Sequence, residues 1–418
     1  MIFLAAGDPL FSRGIDTTVV LILIGKTVAT FALLLVAVML YIWFLRKVIA
    51  DMQNRIGPER AGPYGILQSL ADGIKLFFKE QSMPETADRW VFRLAPYMSI
   101  LPAFLAFSII PIGGTVTIAG HRTYLQLADF PIGILFLLAM SGLGLYGVML
   151  AGWSSGSKYP LLGSVRASAQ LLSYEAALGL SIVGVLLQTG GANSGGQANP
   201  GTLSTHDIAS LQGWTGHWGA SIGSWPIVHW FVFPAIVSFV IFTIAAVAET
   251  NHPPFDLVEA EQELTGGFFT EYTGIKFAIF YLAEFMNLIT MSAIAVTLFL
   301  GGPAGPAMPG FERAGWFNVW IMPVFWFFAK LMVLLFCTVW VRATLPRLRY
   351  DQLMDLGWKY LIEIAFLWLM VSAVIRVSKD QGWPLWVVTP VAVAGAALLY
   401  GVLYLSMPKR DELVEEMK

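Results

Sequence analysis

Long apolar runs recur along the chain, near residues 19 to 44, 94 to 112, 131 to 152, 167 to 189, 227 to 249, 275 to 300, 317 to 341, 359 to 377 and 385 to 406. A helix needs about 20 such residues to cross a bilayer, so each run is a candidate span. None shows the two-residue alternation of a barrel strand, and helices are the other way to satisfy a backbone in lipid. The pattern predicts an all-α polytopic membrane protein with about nine transmembrane helices. One segment reads differently. Ile66, Leu70, Ile74 and Phe77 recur at helical spacing, with Gln68, Asp72, Lys75 and Lys79 on the opposite face. At about 17 residues, this stretch predicts an amphipathic helix lying along the membrane interface. Before it, Gly57-Pro58 and Gly62-Pro63 stop the first helix and predict an ordered turn.

Composition agrees with the pattern. The 418 residues are 57% hydrophobic and only 12% charged, where soluble domains carry about 25% charge. The single cysteine, Cys337, lies in an apolar run and is expected to be a packing residue. One cysteine cannot hold an iron-sulfur cluster or a structural zinc. The five histidines form no metal-binding pattern, and no glycine-rich nucleotide loop is present, so redox or nucleotide chemistry must sit on another chain. Residues from about Gly190 to Trp225 are rich in glycine, serine and asparagine and read as a flexible connection, with Trp214, Trp218, Trp225 and Trp230 at headgroup depth. No internal repeat divides the chain, and residues 1–418 are expected to form a single membrane domain.

Charge gives an orientation. With the N-terminus outside, 17 lysines and arginines fall in inside segments and 5 in outside ones. The positive-inside rule then puts the C-terminus in the cytoplasm. The first span lacks a basic leader and a small-residue cleavage site, and is expected to be retained as an anchor.

The chemistry is concentrated in acids. The stretch from Glu249 to Tyr272 holds Glu249, Asp256, Glu259, Glu261, Glu263 and Glu271 without one lysine or arginine. Asp256 and Glu259 have the spacing of a helix capping box, which would account for both structurally. Glu259 and Glu263 share a helix face, and Glu261 points elsewhere. In water this costs little; partly buried, such acids hold protons near neutral pH, as a proton relay requires. Glu249 ends the fifth span, where the helix dipole disfavours negative charge. Glu175 and Glu284 lie inside apolar spans, where a carboxylate costs about 2.5–3.5 kcal/mol and points to function. Glu363 lies one turn from Lys359 and is expected to pair with it.

Four strings, MQNRIGPERAGPYGILQSLADGIKLFFKE, SKYPLLGSVRASAQLLSYE, AETNHPPFDLVEAEQELTGGFFTEY and RATLPRLRYDQLMDLGWK, occur in this order. Together they resemble the family of H subunits of the proton-pumping NADH-quinone oxidoreductases, respiratory complex I. The resemblance implies a place at the heel of the membrane arm. The chain would form the quinone-chamber entrance with the first span, the sixth span and the interfacial helix, and begin the series of buried carboxylates leading to the pumps. It implies a proton path through Glu175, Glu249, Asp256, Glu259, Glu261, Glu263 and Glu284, and quinone-chamber surroundings at Arg46, Arg55, Asp72, Lys75, Arg342 and Arg347. Quinone is then the substrate, and FMN and iron-sulfur clusters belong to partner subunits in a bacterial inner membrane. No nucleic acid is expected as a partner. Two positions depart from the family: Leu45-Arg46 replaces the common Glu-Arg, and His252 replaces an arginine. Histidine titrates near pH 6.5, so a counter-charge at His252 would depend on pH. The alternatives are the membrane anchor of a related hydrogenase, or a stand-alone proton or cation transporter using the same acids.

Overall fold

Backbone polar groups in lipid must be satisfied within the chain, and the structure meets this with helices throughout. The computed structural model describes residues 8–12, 14–192, 198–199, 201–212, 230–257, 261–305 and 315–406. Among these, eight helices or helical segments are long and apolar enough to cross a membrane. The spanning helices are α1 (Thr17–Met52), α3 (Arg89–Phe107), α4 (Gly133–Ser154), α5 (Lys158–Thr189), α9 (Gly274–Phe299), α10 (Gly315–Thr344), α12 (Ile362–Asp380) and α13 (Leu385–Ser406). Five shorter helices complete the set: α2 (Gln68–Phe78), α6 (Thr205–Leu211), α7 (Ile236–Glu249), α8 (Glu261–Leu264) and α11 (Tyr350–Asp355). A small antiparallel hairpin, β1 (Thr115–Ile118) and β2 (His121–Tyr124), closes through Ala119-Gly120, both at positive φ.

The expected fifth span is present as an apolar helix of only 14 residues, α7. Pro234 lacks an N–H and would clash with a preceding turn, so residues before Ile236 form hydrogen-bonded turns instead of helix. The interfacial helix α2 is likewise shorter than its periodicity suggested, at 11 residues. A 3-10 turn at Pro63–Gly65, with Tyr64 at φ 53, delays its start, and extended Lys79 ends it. None of its residues is buried; Leu70, Ile74 and Phe77 leave its apolar face open. Trp214, Trp218 and Trp225 lie outside the described residues, and Trp230 is half-buried.

Helix α9 is the most buried of the spans, and its core is shared with α1, α5, α7, α10 and α12. Small residues let neighbours approach closely. A β-carbon at Gly147 of α4 would collide with Ser99 of α3, and one at Gly152 with Ser164 of α5. The far end of α9 is secured by two polar side chains within apolar surroundings. Gln212, fully buried, bonds Thr297 O, Leu298 O and the Phe231 and Gly301 amides. Lys330 gives its three protons to Leu300 O, Gly302 O and Ala304 O at 2.6–2.9 Å, 4.7 Å above the Trp230 ring. These bonds account for carbonyls that the end of a helix otherwise leaves unsatisfied.

Cys337 is exposed on the outer surface of α10 and does not pack in the core. Lys359 pairs with Asp355 at 2.9 Å and not with Glu363. Asp355 stands four residues before Lys359 and Glu363 four after it, so helical spacing offers the lysine both acids, and it takes the first within the π-helical turn over Leu356–Leu361. Glu363 Oε2 is buried without a hydrogen-bond partner.

Candidate functional site

Three acids from three helices converge where α7 ends. Glu249, the last residue of α7, is 9% exposed, and the Ser141 hydroxyl of α4 donates to its Oε1. Its Oε2 is buried and has no hydrogen-bond partner. Glu175 of α5 lies on the other side of the same stretch of α4: a β-carbon at Gly142 would stand 3.4 Å from Glu175 Oε1, so glycine leaves room for the carboxylate. Glu175 and Glu249 are within Coulombic reach. Neither has a basic group in ion-pair contact among the described residues. The adjacent pair Ser141-Gly142 therefore seats both acids, which their sequence positions do not reveal.

The turn after α7 is fixed by Gln170 of α5. This buried amide donates to Ala248 O at 2.8 Å and Phe255 O at 2.9 Å. Satisfying these carbonyls holds His252 in the core, 3% exposed, edge-on to Phe285. His252 Nδ1 lies 2.8 Å from Thr250 O and 3.3 Å from Glu284 Oε1. A carbonyl can only accept, so Nδ1 carries a proton and Nε2, buried and unpartnered, is free to accept when the ring is neutral. A cavity of about 70 Å³ connects Glu249 with Glu284, lined also by Ser99, Ser141, Asn251 and Asn287. It has room for a few waters and the polar partners they require.

The acid stretch that follows finds its counter-charges on distant elements. Arg347, on the loop after α10, reaches the Asp256 carboxylate at 3.3 Å and also donates to the Asp256 carbonyl. The backbone joins there too, through Leu348 N to Pro254 O at 3.1 Å. Arg166 of α5 pairs with the exposed carboxylate of Glu263 at 2.7 Å, and its guanidinium stands over the Tyr350 ring. Glu261 lies in α8. Glu259 lies outside the described residues. The loop then turns back under α3, where Tyr272 stacks on Phe92 at 4.0 Å and donates to Phe92 O. Burial pushes the Tyr272 hydroxyl up to about 12, against a smaller opposing effect of its contact with Ser154, so it stays neutral.

The sequence profile of the NADH dehydrogenase family matches residues 25–373, most of the chain and every element of this site. The chain belongs to the NADH dehydrogenase family. The H subunit of the NADH-quinone oxidoreductase of Frankia casuarinae is 48% identical over 408 residues, covering 96% of this chain and 84% of that protein. Its counterpart from Frankia alni is 47% identical over 419 residues, covering 100% and 86%.

In this NADH dehydrogenase family member the basic candidates are dispersed along the end of the bundle that carries α2. Arg46, near the end of α1, binds Asp72 of α2 at 2.7 Å, and Gln68 binds the other Asp72 oxygen. Trp43 and Ser69 add bonds between α1 and the α2 region. Arg55 bonds Gln53 on the exposed turn after α1, and Lys75 is exposed. Arg342, in the last turn of α10, lies within Coulombic reach of Tyr41. Among the described residues no three His, Cys, Asp or Glu side chains converge as metal ligands. Sequence reasoning overlooked Ser141, Gly142, Gln170 and Arg166. A serine-glycine pair inside an apolar span, and a glutamine inside another, were the available signals.

Proposed function

We propose that this chain, a membrane subunit of an NADH-quinone oxidoreductase, forms the mouth of the quinone chamber and the first stage of the buried carboxylate path that couples quinone reduction to proton translocation. The observation that carries this reading is Glu249: buried, held on one side by Ser141, unpartnered on the other, and open to a cavity that reaches Glu284. Two carboxylates within Coulombic reach and without a cation in ion-pair contact repel when both are ionised. Glu175 and Glu249 therefore share a proton readily, and waters in the cavity pass it between Glu249 and the His252–Glu284 pair. Asp256, Glu259, Glu261 and Glu263 carry charge from the chamber side to this cluster. Arg347 and Arg166 keep that loop seated.

The mouth lies between α1, α2 and α9, with Arg46, Arg55, Asp72, Lys75, Arg342 and Arg347 around it. The Arg46–Asp72 pair ties α2 to α1, and the open apolar face of α2 offers a surface for an isoprenoid tail. FMN and iron-sulfur clusters sit on partner subunits of the peripheral arm. The whole chain, 1–418, acts as one domain, with the N-terminus outside and the C-terminus cytoplasmic in a bacterial inner membrane.

A split between KM and kcat tests the two halves separately in the assembled enzyme. Arg46→Ala is expected to raise the KM for a short-chain quinone about threefold with kcat little changed, since the pair it breaks is partly exposed. Glu284→Gln is expected to lower kcat about tenfold with KM unchanged. Unchanged kinetics in both variants would remove the reading.

A further inference from the structure

A cavity of about 560 Å³ opens between the start of α3, the start of α9 and the connector that joins α2 to α3, outside the site described above. Arg93 of α3 and Lys276 of α9 both line it, close enough for their charges to repel. Among the described residues neither is in an ion pair, and the neighbouring acids Glu80, Glu85, Asp88 and Glu271 supply none to them. Lys276 is also the third residue of its helix, where the dipole disfavours positive charge. Its ammonium lies 4.8 Å from the Phe92 ring centre, which offsets part of that cost. Two adjacent cations without a protein counter-ion are the chemistry of an anion site.

The surroundings decide the kind of anion. Met83, Ile275 and Ile279 make the remaining wall largely apolar. From the cavity an exposed apolar stripe, Leu94, Tyr97, Leu101 and Leu105, runs along one face of α3 into the span at helical spacing. Exposed Trp90 and Tyr97 mark headgroup depth at the same end. The floor is held in place. Ser82 bonds Thr273 Oγ1 through its amide at 2.9 Å and its hydroxyl at 3.1 Å. Gly274, at φ +60, brings α9 under α2, where a β-carbon would stand 3.0 Å from Lys79 O.

We propose that this cavity binds the phosphate of an anionic phospholipid between Arg93 and Lys276, with an acyl chain lying along the α3 stripe. A soluble phosphate matches the cations but leaves the stripe unused.

The test uses the assembled enzyme in phosphatidylcholine vesicles that contain a small fraction of phosphatidylglycerol with a photoactivatable acyl chain. Labelling of the α3 peptide is expected to exceed that from the matching photoactivatable phosphatidylcholine by about thirtyfold, from two basic groups acting at headgroup depth. The Arg93→Gln/Lys276→Gln double variant should lose that excess while keeping the phosphatidylcholine background, which reports an intact helix. Arg93→Lys/Lys276→Arg should retain it, and inorganic phosphate should not compete. Equal labelling by both lipids in the wild type, an excess that survives in the double variant, or label confined to a partner subunit overturns the proposal. Displacement by inorganic phosphate overturns it too, in favour of a soluble anion.

Discussion

Glu249→Gln is expected to lower NADH-driven quinone reduction by about a hundredfold, at the low end of what a positioned proton-transfer group contributes. The glutamine keeps the size of the side chain and can still meet Ser141, so the packing at the end of α7 survives. What it loses is the ability to take and release a proton beside Glu175 and the cavity leading to Glu284. The check is turnover in membranes with a short-chain quinone, set against NADH-driven ferricyanide reduction, which does not consume quinone. The first should collapse and the second stay at wild-type level. Glu249→Asp restores the proton but shortens the reach to Ser141, so it should fall between the two.

The second large effect is expected at Gly163. This glycine of α5 lies against the acid stretch: a β-carbon there would stand 2.8 Å from the Gly267 backbone. Such a distance forces a shift, and since the neighbour is backbone and not a flexible tip, Gly163→Ala must move the loop or the helix. Overpacking of this kind costs about 1–3 kcal/mol. The cost falls on the segment that carries Glu261, Glu263 and Tyr272, one helical turn from the Arg166 that pairs with Glu263. The expected result is a lower thermal midpoint for the subunit in the complex, together with a several-fold loss of quinone turnover. Gly179→Ala on the same helix meets open space within 4 Å and serves as the control, with little change in either reading.

The spans were legible because a bilayer imposes a length and an apolar content that few other structures share. Where the reading missed, a specific contact had intervened. Pro234 shortened α7, and the Pro63–Gly65 turn shortened α2. The uncompensated look of the acid stretch came from reading it alone. Arg166 and Arg347, its partners, lie 97 and 91 residues away from Glu263 and Asp256 in the chain, and only the fold brings them together. Glu363 failed for the opposite reason. Helical spacing gave Lys359 an acid on either side, and Asp355, four residues before it, took the lysine. Lys330 and Gln212 escaped notice because their work is on backbone carbonyls and amides, which leave no trace in a side-chain pattern.

The candidate acids divide in the same way. Glu175 and Glu284 stood out by being charged inside apolar runs, a purely local signal. Their relation to Glu249 depends on Ser141 and Gly142 of α4 and on Gln170 of α5, small or neutral residues whose role is to leave space or to hold a turn. His252 takes its place beside Glu284 by the same means, since Gln170 fixes the turn that carries it.

If Glu249 is the first carboxylate of the path, it changes its protonation when quinone is reduced. Reaction-induced infrared difference spectroscopy on the assembled enzyme reads this directly, in the carboxylic C=O stretching region, as NADH is added with and without quinone. The wild-type enzyme should show a quinone-dependent band there that disappears in Glu249→Gln and persists in Gly179→Ala. A band that is the same in the wild type and in Glu249→Gln would show that Glu249 keeps its protonation unchanged through turnover.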